Sequence, residues 1–75
     1  MGNARRGAAA ERVMDAELAR EELRAALKGA GITLPSLSLD GVSLAGDSPR
    51  PLVSLGRCTP ELARRIADAL RKGAP

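Results

Sequence analysis

The chain has 75 residues and a formal net charge of +3, with no His, Phe, Tyr or Trp and a single Cys. His is the usual acid/base group and metal ligand near neutral pH, and aromatic rings are the usual platforms for stacked bases. Most catalytic, metal-binding and base-reading chemistry is thereby made improbable, and one Cys allows no intrachain disulfide.

Residues 1–13 lack apolar periodicity and hold +2 of the charge, through Arg5, Arg6 and Arg12 against Glu11, which leaves +1 for the remainder. They are expected to form a disordered tail, and residues 14–73 a single small domain. Met1 to Ala10 contains no apolar h-region, so it does not read as a signal peptide. Charges or turn residues interrupt every stretch approaching the roughly 20 apolar residues of a membrane span. A cytoplasmic protein with a reduced Cys58, no membrane partner and no cofactor is the expectation.

Asp15 to Lys28 reads as the first helix, with acids in its first turns and Lys28 at its end. Leu18, Ala19, Leu23, Ala26 and Leu27 recur at helical spacing and define its expected inner face. Gly29 or Gly31 can supply the left-handed residue that stops it.

The middle of the chain runs Leu37-Ser38-Leu39-Asp40-Gly41-Val42-Ser43-Leu44, nearly symmetric about Asp-Gly. Asp-Gly between alternating apolar residues is a strong hairpin signal. A two-residue turn would pair Leu39 with Val42 and Leu37 with Leu44. The competing hairpin pairs 37–40 with 52–55 through a long loop. In Leu52 to Leu55, Val53 and Leu55 are expected to point inward and Leu52 outward or at an edge. Leu52, Val53 and Leu55 are therefore the candidate interface. Ser48-Pro49-Arg50-Pro51 has the form of a polyproline ligand, but prolines between strands are more often spacers.

Thr59-Pro60-Glu61 offers an N-cap hydroxyl, a proline at the first helical position and an acid in the first turn. The helix that follows places Leu62, Ile66, Ala69 and Leu70 on one side. Glu61 with Arg65, Arg64 with Asp68, and Asp68 with Lys72 are spaced i, i+4 for ion pairing. Arg71 and Lys72 suit its C-terminal dipole, and Gly73 stops it.

Three strings, Gly31-Ile32-Thr33-Leu34-Pro35-Ser36-Leu37, Pro51-Leu52-Val53-Ser54-Leu55-Gly56-Arg57-Cys58 and Ala63-Arg64-Arg65, resemble a set of short uncharacterised actinobacterial proteins over roughly residues 20 to 71. No activity is attached to that set. Where it carries Asp-Pro, this chain has Asp40-Gly41, and proline cannot take positive φ. The resemblance therefore favours the long-loop hairpin over the tight one, and both remain open at this point.

Cys58 is the one visible reactive group, a possible reactive thiol next to Arg57 and a helix N-terminus. Cys58 and Arg64 match the C-x5-R spacing of thiol phosphatase loops. The larger sheet, glycine-rich loop and acid donor that such enzymes need are missing, and the favoured role is a small buried residue packing toward Ala63. Arg57, Arg64, Arg65, Arg71 and Lys72 form the candidate nucleic-acid contact. The second helix resembles the opening helix of a helix-turn-helix, but no recognition helix follows it.

Domains below about 70 to 80 residues commonly recruit disulfides, metals or oligomerisation. The first two are disfavoured here, so a homodimer is expected. The expected fold is α+β: helix, a two- or three-stranded antiparallel sheet, helix, with both helices on one sheet face. The expected function is a small non-enzymatic protein-protein interaction or regulatory accessory module whose partner is another protein or itself. The alternative is a nucleic-acid binder using the basic C-terminal helix face.

Overall fold

The computed structural model describes the backbone of residues 2–44 and 50–73 and the side chains of 9–44 and 50–73. Helix α1 (Gly2–Gly29) is followed by strand β1 (Ser38–Leu39), a 3-10 turn (Val42–Leu44), strand β2 (Val53–Ser54) and helix α2 (Pro60–Gly73). This is the expected α+β order of helix, strand, strand, helix.

Helix α1 starts at Gly2 rather than Asp15, so the expected boundary after residue 13 falls inside it. Ala4, Ala8, Ala9 and Ala10 account for this extension, since alanine is the best helix former and needs no apolar periodicity. The inner face is also rotated from expectation. Ala9, Val13, Ala16, Arg20, Leu23 and Leu27, alternately four and three residues apart, are the buried or half-buried positions, while Leu18, Ala19 and Ala26 are exposed. With the helix begun at Asp15, Val13 and Ala9 could not enter the pattern, and its phase drifted toward Leu18.

The helix ends in a Schellman arrangement. Gly31 takes φ 75°, its N–H donates to the Lys28 carbonyl at 2.9 Å, and Ile32 N–H donates to the Leu27 carbonyl at 2.8 Å. This geometry satisfies two carbonyls that the helix leaves open and folds the residue after the glycine back onto the last turn. Among the described residues Ile32 is the most buried, at 2% exposure, and only Ala16 and Leu37 join it below one-tenth.

The strands pair antiparallel, with Ser38 opposite Ser54 and Leu39 opposite Val53, and Asp40 N–H extends the ladder to the Leu52 carbonyl at 2.9 Å. The long-loop hairpin is therefore the one formed, and the tight Asp40-Gly41 turn is corrected. A two-residue I′ turn needs positive φ at both central residues, and neither Asp40 nor Gly41 has it. Asp40 instead accepts Val42 N–H on Oδ1 at 3.2 Å, an Asx turn that starts the 3-10 segment. Ser43 then stitches the loop: its hydroxyl donates to the Asp40 carbonyl at 2.7 Å and accepts Leu52 N–H at 2.9 Å. Residues 45–49, with Ser48 and Pro49 of the polyproline reading, lie outside the described residues.

Helix α1 packs against both strands. Helix α2 begins as expected, with Leu62 N–H donating to Thr59 Oγ1 at 3.1 Å and Pro60 at the first helical position. None of its residues is buried. It meets the rest of the chain at the turn after α1, where Arg65 Nη2 donates to the Gly31 carbonyl at 2.7 Å and Ala69 faces Ala30 and Ile32.

So few buried side chains leave a large surface. The solvent-accessible area is 6065 Å² for 7.8 kDa, against about 4,400 Å² for a compact monomer of that mass. The radius of gyration is 15.4 Å, against about 11 Å for a compact domain of this length.

Candidate functional site

No group of three or more His, Cys, Asp or Glu that could hold a metal occurs among the described residues. None of their helices is long and apolar enough to cross a membrane. The surface is notable instead for its aliphatic side chains. Met14, Leu18, Val42, Leu52, Leu55 and Leu70 are all more than half exposed.

The strand patch differs in part from expectation. Leu52 is 58% exposed, as expected of an edge residue, and Val53 is half-buried against α1, but Leu55 is 52% exposed rather than inward. The strand ends at Ser54, one residue too early for strict alternation to reach Leu55. Gly56 then turns the chain at φ 74°. From Leu55 to Glu61 every residue is exposed.

Cys58 lies on that surface run and is exposed, which corrects its reading as a small buried residue beneath the cap. Thr59 holds the first turn by its own hydroxyl, and Ala63, toward which Cys58 was expected to pack, is itself exposed.

The basic candidates divide into two groups. Arg65 is committed to the Gly31 carbonyl, and Lys72 pairs with Asp68 at 3.0 Å. Of the three expected i, i+4 pairs, Asp68 with Lys72 is the one formed among the described residues. Arg57, Arg64 and Arg71 remain exposed and make no ion pair among those residues. A helix face with two arginines, one more upstream and no aromatic neighbour is a small footprint for phosphate binding. On that footprint no binding by wild type is expected in a duplex or single-stranded DNA or RNA titration at about 150 mM salt, and replacing Arg64 and Arg71 with Ala is expected to change nothing measurable. Salt-sensitive submicromolar binding by wild type would restore the nucleic-acid reading.

Arg24 and Met14, which the sequence pattern did not single out, and Leu18, which it placed on the inner face, turn out to be prominent. Arg24 donates from Nη2 to the Leu37 carbonyl at 3.2 Å while its Nη1 meets Glu21. Arg24 and Arg65, one from each helix, thus hold the two ends of the 31–37 connection. Met14 and Leu18, an i, i+4 apolar pair, stand on the face of α1 away from its buried stripe. Their signal in the sequence was that i, i+4 pair itself, set among Glu11, Asp15, Glu17, Glu21 and Glu22.

No family model, curated protein or solved structure matches the chain.

Proposed function

We propose that this chain is a small non-enzymatic, cytoplasmic interaction module that works as a homodimer and serves as an accessory to a protein partner. One observation carries the reading. Among the described residues three apolar ones are buried, while six large aliphatic ones are more than half exposed. Scattered surface aliphatics are ordinary. Here, among the described residues, they outnumber the core. The accessible area, 6065 Å², also exceeds the about 4,400 Å² of a compact monomer of this mass.

Two surfaces are open for contact, the Leu52 and Leu55 patch beside half-buried Val53, and the outer faces of the two helices. A protein stabilised by association unfolds at a temperature that depends on its concentration. The thermal midpoint is expected to rise by several degrees between about 5 and 500 µM chain, since a hundredfold change in concentration alters the free energy by about 2.7 kcal/mol. A midpoint independent of concentration over that range would count against self-association.

A further inference from the structure

Helix α1 carries an apolar ridge that its own chain does not cover. Met14 is 60% and Leu18 64% exposed, on the side of the helix opposite Ala16, Leu23 and Leu27. On a helix surface the neighbours of a residue are those three and four positions away. For Met14 these are Ala10, Glu11, Glu17 and Leu18; for Leu18 they are Met14, Asp15, Glu21 and Glu22. Five acids and no base surround the pair. Glu21 is engaged by Arg20 and Arg24, and the other four make no ion pair among the described residues.

Helix α2 has the opposite surface. The neighbours of Ala67 by the same rule are Ala63, Arg64, Leu70 and Arg71. Leu70 is 70% exposed, Ala63 and both arginines are exposed beside it, and Ala67 between them is half-buried. An apolar ridge flanked by acids and an apolar ridge flanked by arginines are complementary in chemistry and in charge. Within one chain they do not meet, since Leu18 and Leu70 both face solvent.

We propose that the homodimer forms by laying the Met14–Leu18 ridge of α1 on the Ala63–Ala67–Leu70 ridge of α2 in a second copy. The acids of one helix face Arg64 and Arg71 of the other. The contact is made twice about a twofold axis, as a closed dimer of identical chains requires. Desolvating both ridges supplies the attraction, and charge sets partner and register. Alternative self-contacts are worse matched: α1 on α1 juxtaposes acids, and α2 on α2 juxtaposes Arg64 and Arg71. The sheet edge is a poor rival, because strands of two residues offer little backbone to a pairing strand.

This inference rests on the homodimer reading, and the test separates the two. Two variants are prepared in the full chain, Glu17→Lys with Glu22→Lys, and Arg64→Glu with Arg71→Glu, together with Leu52→Lys. All five positions are exposed, and circular dichroism checks that helix content is retained. Sedimentation is run at about 50 mM salt, where the Debye length is near 14 Å and surface charges act at full reach. Each double variant alone is expected to lose dimer, with a dissociation constant raised about tenfold or more. An equimolar mixture is expected to regain a 1:1 heterodimer, because both contacts are then acid against base again. Leu52→Lys is expected to dimerise as wild type does. Should wild type dimerise while the double variants do so equally well, or should mixing fail to restore association, or should Leu52→Lys alone abolish it, the α1–α2 contact is wrong although the dimer stands. A monomeric wild type overturns both.

Discussion

Replacing Gly56 with Ala is expected to lower the thermal midpoint by more than 10 °C. The residue sits at φ 74°, and a Cβ there would lie 2.5 Å from Ser36 Cβ and 3.1 Å from the Ser36 carbonyl oxygen. The left-handed conformation costs an L-residue about 1–2 kcal/mol, and forcing extra volume into a packed contact adds about 1–3 kcal/mol. Against a total stability of roughly 4–11 kcal/mol for a chain this size, that loss is large, and each kcal/mol moves the midpoint by about 4–8 °C. Gly41→Ala is the internal control, since a Cβ there meets nothing within 4 Å and the backbone needs no positive φ. It is expected to melt within about 3 °C of wild type. If Gly56→Ala does the same, the close crossing of the 55–57 run over Ser36 is not present in solution.

Ile32→Ala is expected to be the most damaging truncation of an aliphatic side chain, followed by Leu37→Ala. Both side chains are buried, and removing such groups costs about 2–5 kcal/mol each. Ile32 is locked by the Schellman turn at the end of α1 and lines one cleft with Ala69 of α2. Its loss loosens the junction of both helices. Val42→Ala, at a position 84% exposed, is expected to change stability by less than about 0.5 kcal/mol. Urea unfolding of the three variants gives the comparison. Equal losses at Ile32 and Val42 would mean that the core is not centred where the turn after α1 places it.

What could be read in the residues follows from how local the determining physics is. The start of α2 was legible because Thr59, Pro60 and Glu61 satisfy the helix N-terminus from within four residues. The end of α1 was legible to within a choice of two glycines, and Gly31 is the one that takes positive φ. The inner face of α1 was misread at Leu18 because an extended alanine-rich start, which carries no periodicity, shifts the phase of the stripe. The hairpin depended on a competition between two uses of Asp40. As a turn residue it favours the tight hairpin, but as an Asx acceptor it opens a 3-10 segment, and Ser43 then bonds across the loop to Leu52. Contacts across the loop decide it, among them Leu52 N–H to the Ser43 hydroxyl, nine residues apart in sequence.

The candidate surfaces were legible to a smaller extent. Leu52 was identified as outward by strand alternation, whereas Leu55 failed because a two-residue strand stops before the alternation applies to it. Arg65 was grouped with a basic face, yet its guanidinium serves the Gly31 carbonyl, a contact across 34 positions of chain. Exposure of Met14, Leu18 and Leu70 is a statement about what the rest of the fold does not cover. Periodicity alone supplies no such information, because an apolar residue at helical spacing reads equally well as inner or outer face.

The central claim is that the monomer leaves too much aliphatic surface open and completes its burial with a second copy. Sedimentation equilibrium of the full chain, from about 50 µM downward, tests it most directly. The predicted result is a mass of about twice 7.8 kDa, falling toward the monomer value on dilution. A mass of 7.8 kDa at every concentration, in a chain that still unfolds cooperatively, would contradict it.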